Sequence, residues 1–283
     1  MTFESREISN QDGQIVSLYE FRWGDTYWRY TSADQEQTIE QEIEGVAEQV
    51  VYTPVSISDD GMVQGGSQSN DMTVTVQNDI PLVALFRGTP PSGSIWLTIR
   101  RRHMGDPVDD FYVHWLGSVY NVKKGGAFAA SVICRSLLAS FGRSGLRLAW
   151  TRTCPHMLYD SECRVNPEDF RVDATITAID GDGTITLDAV DDKTAGYFDG
   201  GYVEWEATEE GTLDRRGIES SPTDTKLKLF GSTDRLEVGM EVGLYPGCNL
   251  VGTTCRDKFD NLANFGGFEQ MTGDNPFDGR AVF

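Results

Sequence analysis

Short runs of alternating apolar and polar residues, separated by turn-forming sequence, dominate this chain. Alternation puts every second side chain on one face, the signature of a half-buried strand. Gln14–Tyr19, Thr26–Tyr30, Val50–Ile57, Met72–Val76 and Leu82–Phe86 are predicted strands. Ser94–Met104 and Asp110–Val122 alternate on either side of GDPVDD and read as a long hairpin. The following run, AFAASVICRSLLASF, fits strand or helix equally by pattern. Thr38–Gln49 is acidic, with Ile39, Ile43 and Val46 at helical spacing and Gly45 interrupting them, and reads as a loop or short helix. Gly61–Asp71 is a Gly/Ser/Asn loop.

From Phe170 to Leu244 the texture becomes a series of compact strands. FRVDATITAIDGDGTITLDAV is two alternating runs across a Gly-Asp-Gly turn, and GYVEWEA, TKLKLFG and MEVGLY continue at the spacing of a small barrel or sandwich. The tail from Arg256, rich in Asn, Gly and Phe, predicts an ordered irregular extension anchored by its phenylalanines. The expected fold class is mainly β. A β-rich domain spans 1–145, and a second region spans 146–283, with a small β-barrel at 170–244 and an extension at 245–283.

At 283 residues the chain has room for two cores. Its 24 basic and 44 acidic side chains give a formal charge of −20. That balance argues against binding nucleic acid by phosphate neutralisation, and against an anionic membrane surface as partner. It suits solubility, or a surface past which another polyanion slides without sticking. MTFESREISNQDG lacks the basic and apolar regions of a secretory signal, and no run approaches the roughly 20 apolar residues of a membrane span. The expectation is folding in a reducing cytosol, where paired cysteines are more often ligands or redox groups than disulfides.

Four of the five cysteines form two pairs: Cys154 and Cys163 in CPHMLYDSEC, and Cys248 and Cys255 in PGCNLVGTTC. The barrel segment lies between the pairs, so a joint site would sit where the chain enters and leaves it. Zinc knuckles space their ligands by about two to four residues, whereas eight and six residues separate these cysteines. Iron–sulfur clusters tolerate irregular spacing better. On this chemistry a cluster stands slightly ahead of zinc, and both stay open. Arg135, Arg143, Arg147, Arg152, Arg164 and Arg171 crowd the first pair, either to offset the charge of a thiolate-held cluster or as an exposed basic face. Cys134 reads as a small buried hydrophobe. His114, in FYVHW, reads as structural, while His156 stands beside Cys154 within reach of the site. No nucleophile elbow or phosphate loop is present, pairs such as Glu209–Glu210 and Asp191–Asp192 are expected by chance at this acidity, and no catalytic residue is assigned.

CPHMLYDSEC, GYFDGGYVEW and LYPGCNLVGTTCRDKFDNLANFGGF, followed by GDNPF, together resemble a known family. They look like the tail-tip (baseplate) hub proteins of long non-contractile-tailed phages, prophages and gene transfer agents. These are distant functional counterparts of minor tail protein L of lambda-like phages. The resemblance is densest over Leu146–Phe277. It implies a virion structural protein of the tail tip, not an enzyme, assembled in the host cytoplasm, with a hub-type β-barrel or sandwich as its N-terminal domain. It further implies that Cys154, Cys163, Cys248 and Cys255 hold a [4Fe–4S] cluster, while Cys134 lies outside the motif. The implied assembly is a homotrimeric ring between the distal tail protein and the central tail-tip or fibre protein, adapting sixfold to threefold symmetry. DNA would pass through its channel without specific binding, which gives the acidity a reason, and no membrane is involved. The alternatives are the same hub with zinc held by the four cysteines, or a β-rich tail enzyme or lectin acting on host surface glycans.

Overall fold

The computed structural model describes residues 14–43, 45–62, 71–104, 111–137, 150–188, 190 and 193–271. The chain is mainly β and divides into two compact units, Met1–Arg143 with Ala207–Leu213, and Ser144–Glu206 with Asp214–Phe283. GDPVDD, most of the Gly61–Asp71 loop, residues 138–149, Asp191–Asp192 and GDNPF lie outside the described residues.

The first unit holds β1 (Ile15–Trp23), β2 (Thr26–Thr31), β3 (Gln37–Ile43), β4 (Val46–Pro54), β5 (Ser58–Asp59), β6 (Met72–Gln77), α1 (Pro81–Leu85), β7 (Trp96–His103), β8 (Tyr112–Lys124) and β9 (Ala129–Ser136). Its nine strands form one sheet in the order β3-β4-β2-β1-β7-β8-β9-β6-β5. Alternation explains how β1 serves two cores at once. Tyr19, Phe21 and Trp23 join Leu97, Ile99, Trp115, Val132 and Cys134 in the larger core. Val16 and Leu18 point the other way, into a smaller cluster with Ile39, Val50 and Tyr52 from β3 and β4. Cys134 is fully buried in β9, as expected of a small hydrophobe. The long hairpin is β7 paired antiparallel with β8, and the ambiguous run that follows forms strand β9.

Two sequence expectations are corrected here. Thr38–Gln49 is neither loop nor helix but most of the β3–β4 hairpin, with Ile43 opposite Val46 and Gly45 at φ 83 in the turn. A spacing of four residues keeps Ile39 and Ile43 on one face of a strand as well as of a helix, while Glu40 and Glu42 face solvent. Leu82–Phe86 is not a strand either, because Pro81 opens the one-turn helix α1, whose Leu82 and Val83 are buried. Proline presets the helical φ at that position and needs no amide partner there.

Glu20 is the charged centre of the first unit. Its carboxylate accepts from Arg29 at 2.8 Å, Arg100 at 3.1 Å and Gln41 at 3.2 Å. Burial pushes its pKa up, but Arg100, Arg29 and Gln41 outweigh burial and hold it below the ordinary carboxylate value. A depressed folded-state pKa contributes stability that is present above the unfolded carboxylate pKa and is lost as pH falls through the folded one. Glu20→Gln should therefore cost about 2 kcal/mol near neutral pH and flatten the acid limb of the stability profile. Urea unfolding of both proteins across the acid range measures this, and parallel profiles would contradict it.

The second unit carries β10 (Val172–Ile179), β11 (Thr184–Leu187), β12 (Tyr202–Glu206), most of β13 (Leu213–Ser220), β14 (Lys226–Leu229) and β15 (Glu241–Tyr245). They close into a barrel in the order β10-β11-β14-β13-β12-β15, with Ile176, Ile185, Val203, Trp205, Ile218, Leu227 and Leu244 buried. Pattern reading missed β13 (LDRRGIES) because two of its buried positions are charged. Asp214 is paired with Arg235 at 2.8 Å, and the Arg216 guanidinium lies over the Trp205 ring.

Candidate metal centre

Barrel closure brings the two cysteine loops together. Val172, at the start of β10, pairs with Leu244, near the end of β15. The segment carrying Cys154 and Cys163 therefore arrives where the segment carrying Cys248 and Cys255 departs. The Cys154 amide donates to the Leu250 carbonyl at 2.9 Å, joining the loops directly. All four cysteines are free thiols and line one cavity, with Leu158, Val165, Val251, Phe259 and Phe265 among its apolar walls.

Each cysteine is set by a distinct local device. Cys163 ends a turn organised by Asp160, whose carboxylate accepts from the amides of Met157 at 2.9 Å, Glu162 at 2.9 Å and Cys163 at 2.6 Å. Burial works against that carboxylate, but these three amides outweigh it and hold its pKa below the usual value. Cys248 follows β15, where Tyr159 donates its hydroxyl to the Pro246 carbonyl at 2.9 Å. Cys255 sits in α2 (Gly252–Asp257). Asn261 then threads the site, donating from its side chain to the Cys163 carbonyl at 2.6 Å and from its amide to the Cys255 carbonyl at 2.9 Å.

Hydrogen bonds also reach the sulfurs. The Leu250 amide donates to Cys248 Sγ at 3.3 Å, the Gly266 amide to Cys154 Sγ at 3.5 Å and Asn261 Nδ2 towards Cys163 Sγ at 3.8 Å. Cys255 Sγ donates to the Asn261 carbonyl at 3.2 Å. Burial raises the thiol pKa values of Cys248 and Cys255, and the neighbouring cysteines of the set raise them further.

Two of the motif glycines are dictated by close contact with backbone, and a third faces a side chain. A Cβ on Gly201 would lie 2.0 Å from the Tyr245 carbonyl, and one on Gly247 would lie 2.1 Å from the Asp199 carbonyl. A Cβ on Gly266 would lie 2.2 Å from Nε2 of His156, which also lines the cavity. Tyr159, Arg164, Leu250 and Asp260 adopt positive φ, and all four lie in the cysteine-bearing loops. Such conformations cost about 1–3 kcal/mol each and persist only where surrounding contacts impose them.

Beyond the cysteines, the site includes residues that the motifs did not single out. Of the six arginines that crowd the first pair in sequence, four are described. Arg135 stacks over Tyr120 in the first unit, Arg171 pairs with Asp173 and Glu168, and Arg152 and Arg164 are exposed. Arg143 and Arg147 lie outside the described residues. The cation next to the Cys248 segment is Lys258, whose Nζ donates to the Gly247 carbonyl at 2.9 Å. Asp160, three residues before Cys163, and Lys258, three after Cys255, were visible only as charges in an acidic chain.

The donor set fits a thiolate-held group: four free thiols round one cavity, amide donors aimed at sulfur, and apolar walls. Zinc would need the sulfurs about 2.3 Å from one point. Among the described residues, no three His, Cys, Asp or Glu side chains stand close enough to grip a single ion.

Comparison with known proteins adds two likenesses. Residues 196–275, which include Cys248 and Cys255, match the family described as phage conserved hypothetical protein BR0599. The whole fold is similar to a chain in the solved virion of a native gene transfer agent (GTA) particle. The TM-score is 0.76 at 18% identity, and the match covers 99% of this chain and 95% of that one. No curated protein matches the sequence.

Proposed function

We propose that this chain is a structural protein of a phage-like virion, the hub of the tail tip, whose Cys154, Cys163, Cys248 and Cys255 ligate a [4Fe–4S] cluster. The observation that carries the proposal is the convergence of four free thiols, from both sides of a barrel insertion, on one apolar cavity. The fold shared with a GTA virion chain and the phage family match over 196–275 support the setting.

When bound, the cluster supplies four iron–sulfur bonds that cross-link the entry and exit of the barrel. The chain's own residues do the rest. Asp160 and Asn261 fix the turns that present Cys163 and Cys255, the amides of Leu250 and Gly266 donate to sulfur, and Val251, Phe259 and Phe265 wall the cavity. No residue is assigned a chemical step, and the role is that of a fastener. Zinc held by the same four cysteines is the competing occupant.

In this reading the protein assembles as a homotrimeric ring between the distal tail protein and the central tail-tip protein. The charge of −20 suits a channel through which DNA passes without adhering. The experiment is direct: antibody labelling of particles made by a host carrying this gene should mark one tail end only. Labelling along the tube or on the capsid, or absence of the protein from purified particles, would overturn the assignment.

A further inference from the structure

Lys258 caps the C-terminal end of α2, one helical turn beyond Cys255, yet its side chain turns inward. Its Nζ donates to the Tyr197 carbonyl at 2.5 Å and to the Gly247 carbonyl at 2.9 Å. The ammonium lies 4.5 Å from the centre of the Tyr197 ring and 5.4 Å from that of Phe259, which walls the cysteine cavity. Taking a lysine charge partly out of water is unfavourable unless fixed dipoles and π faces replace the lost hydration. Two carbonyls and two rings do so here.

The two carbonyls belong to segments that cross in close contact. Tyr197 precedes the turn containing Asp199, Gly200 and Gly201, and Gly247 immediately precedes Cys248. Those backbones pass so near that neither Gly201 nor Gly247 has room for a Cβ. Asp199 is itself anchored by Ser221, which donates its hydroxyl at 2.7 Å and its amide at 2.5 Å. Lys258 therefore spans the crossing from an anchored turn to the residue that precedes Cys248. The Lys258 ammonium, 2.9 Å from the Gly247 carbonyl, is thus a fixed positive charge one residue from Cys248.

We infer that Lys258 is the positioning cation of the four-cysteine site: it clamps the Gly247–Cys248 segment to the Tyr197 turn and fixes a positive charge beside that segment. The inference rests on the proposed cluster and extends it, since a fixed cation near a thiolate-held cluster favours its reduced, more negative state. The clamp and the charge separate in a variant series. Lys258→Met removes both, Lys258→Gln keeps hydrogen-bond donors without charge, and Lys258→Arg keeps charge and donors.

On anaerobically purified full-length protein, all four forms should carry iron. The midpoint potential should move to more negative values in Lys258→Met and Lys258→Gln, and stay near the parent in Lys258→Arg. Iron release to a chelator should be about tenfold faster in Lys258→Met, with Lys258→Gln recovering part of the difference. Equal potentials across the series would overturn the charge role, which a purely structural lysine would not need. Equal release rates for the parent and Lys258→Met would overturn the clamp. Hydrogen exchange at 247–250 in metal-free protein decides the clamp separately and should be faster in Lys258→Met. If the parent holds no cluster, the cluster reading and the charge role fall together, while exchange still decides the clamp.

Discussion

Cys248→Ser is expected to leave the protein without bound iron and to lower the melting temperature of the second unit by on the order of 10 °C. The site cannot pre-exist in an unfolded chain, because its ligands come from distant segments that barrel closure at Val172 and Leu244 brings together. Binding free energy at such a site is therefore folding free energy. The effect should be large because the loops are otherwise costly: Tyr159, Arg164, Leu250 and Asp260 all hold positive φ. Serine keeps the shape of the side chain but offers a hard oxygen where the cavity presents sulfur and a donor amide from Leu250. Cys134→Ala is the matched control. That thiol is buried in β9 of the first unit, so its loss should change stability by about 1 kcal/mol and leave iron content untouched. Iron content and thermal unfolding of the two variants check the contrast.

Gly247→Ala should destabilise the second unit by about 3 kcal/mol or more, although it adds one methyl group and removes no ligand. The added carbon would stand 2.1 Å from the Asp199 carbonyl, and the atoms it meets are backbone, which cannot rotate aside. Relief requires the Tyr197–Gly201 turn to part from the Pro246–Cys248 segment. That movement pulls against the Lys258 bridge and the Tyr159 bond to Pro246. Gly45→Ala offers a comparison. Its Cβ would meet nothing within 4 Å, so only the positive φ of the β3–β4 turn is at stake. That conformational penalty is about 1–2 kcal/mol. Chemical denaturation of both variants measures the difference, and equal losses would show that the glycine crossing is not tightly held.

Much of this was legible in the chain because a period of two is a local signal. Alternation located β1, β2, β6, the β7–β8 hairpin and most of the barrel. It failed where a second cause produced the same spacing or hid it. Ile39 and Ile43 suit strand and helix alike, Pro81 started a helix in an apolar run, and β13 buries Asp214 and Arg216 where hydrophobic residues were expected. The four cysteines and the glycines beside them announced themselves by type. The residues that position them did not, because an aspartate in an Asx-type turn or an inward lysine looks like any surface charge until the turn is built.

The occupant of the cavity lined by Cys154, Cys163, Cys248 and Cys255 decides between cluster, zinc and free thiols. Iron, zinc and acid-labile sulfide should be determined on one anaerobically purified sample of the full chain. The expected result is about four iron and four sulfide per chain in a brown protein with broad visible absorption. One zinc per chain without sulfide would contradict the cluster, and four freely titrating thiols with neither metal would contradict any ligand role for the four cysteines.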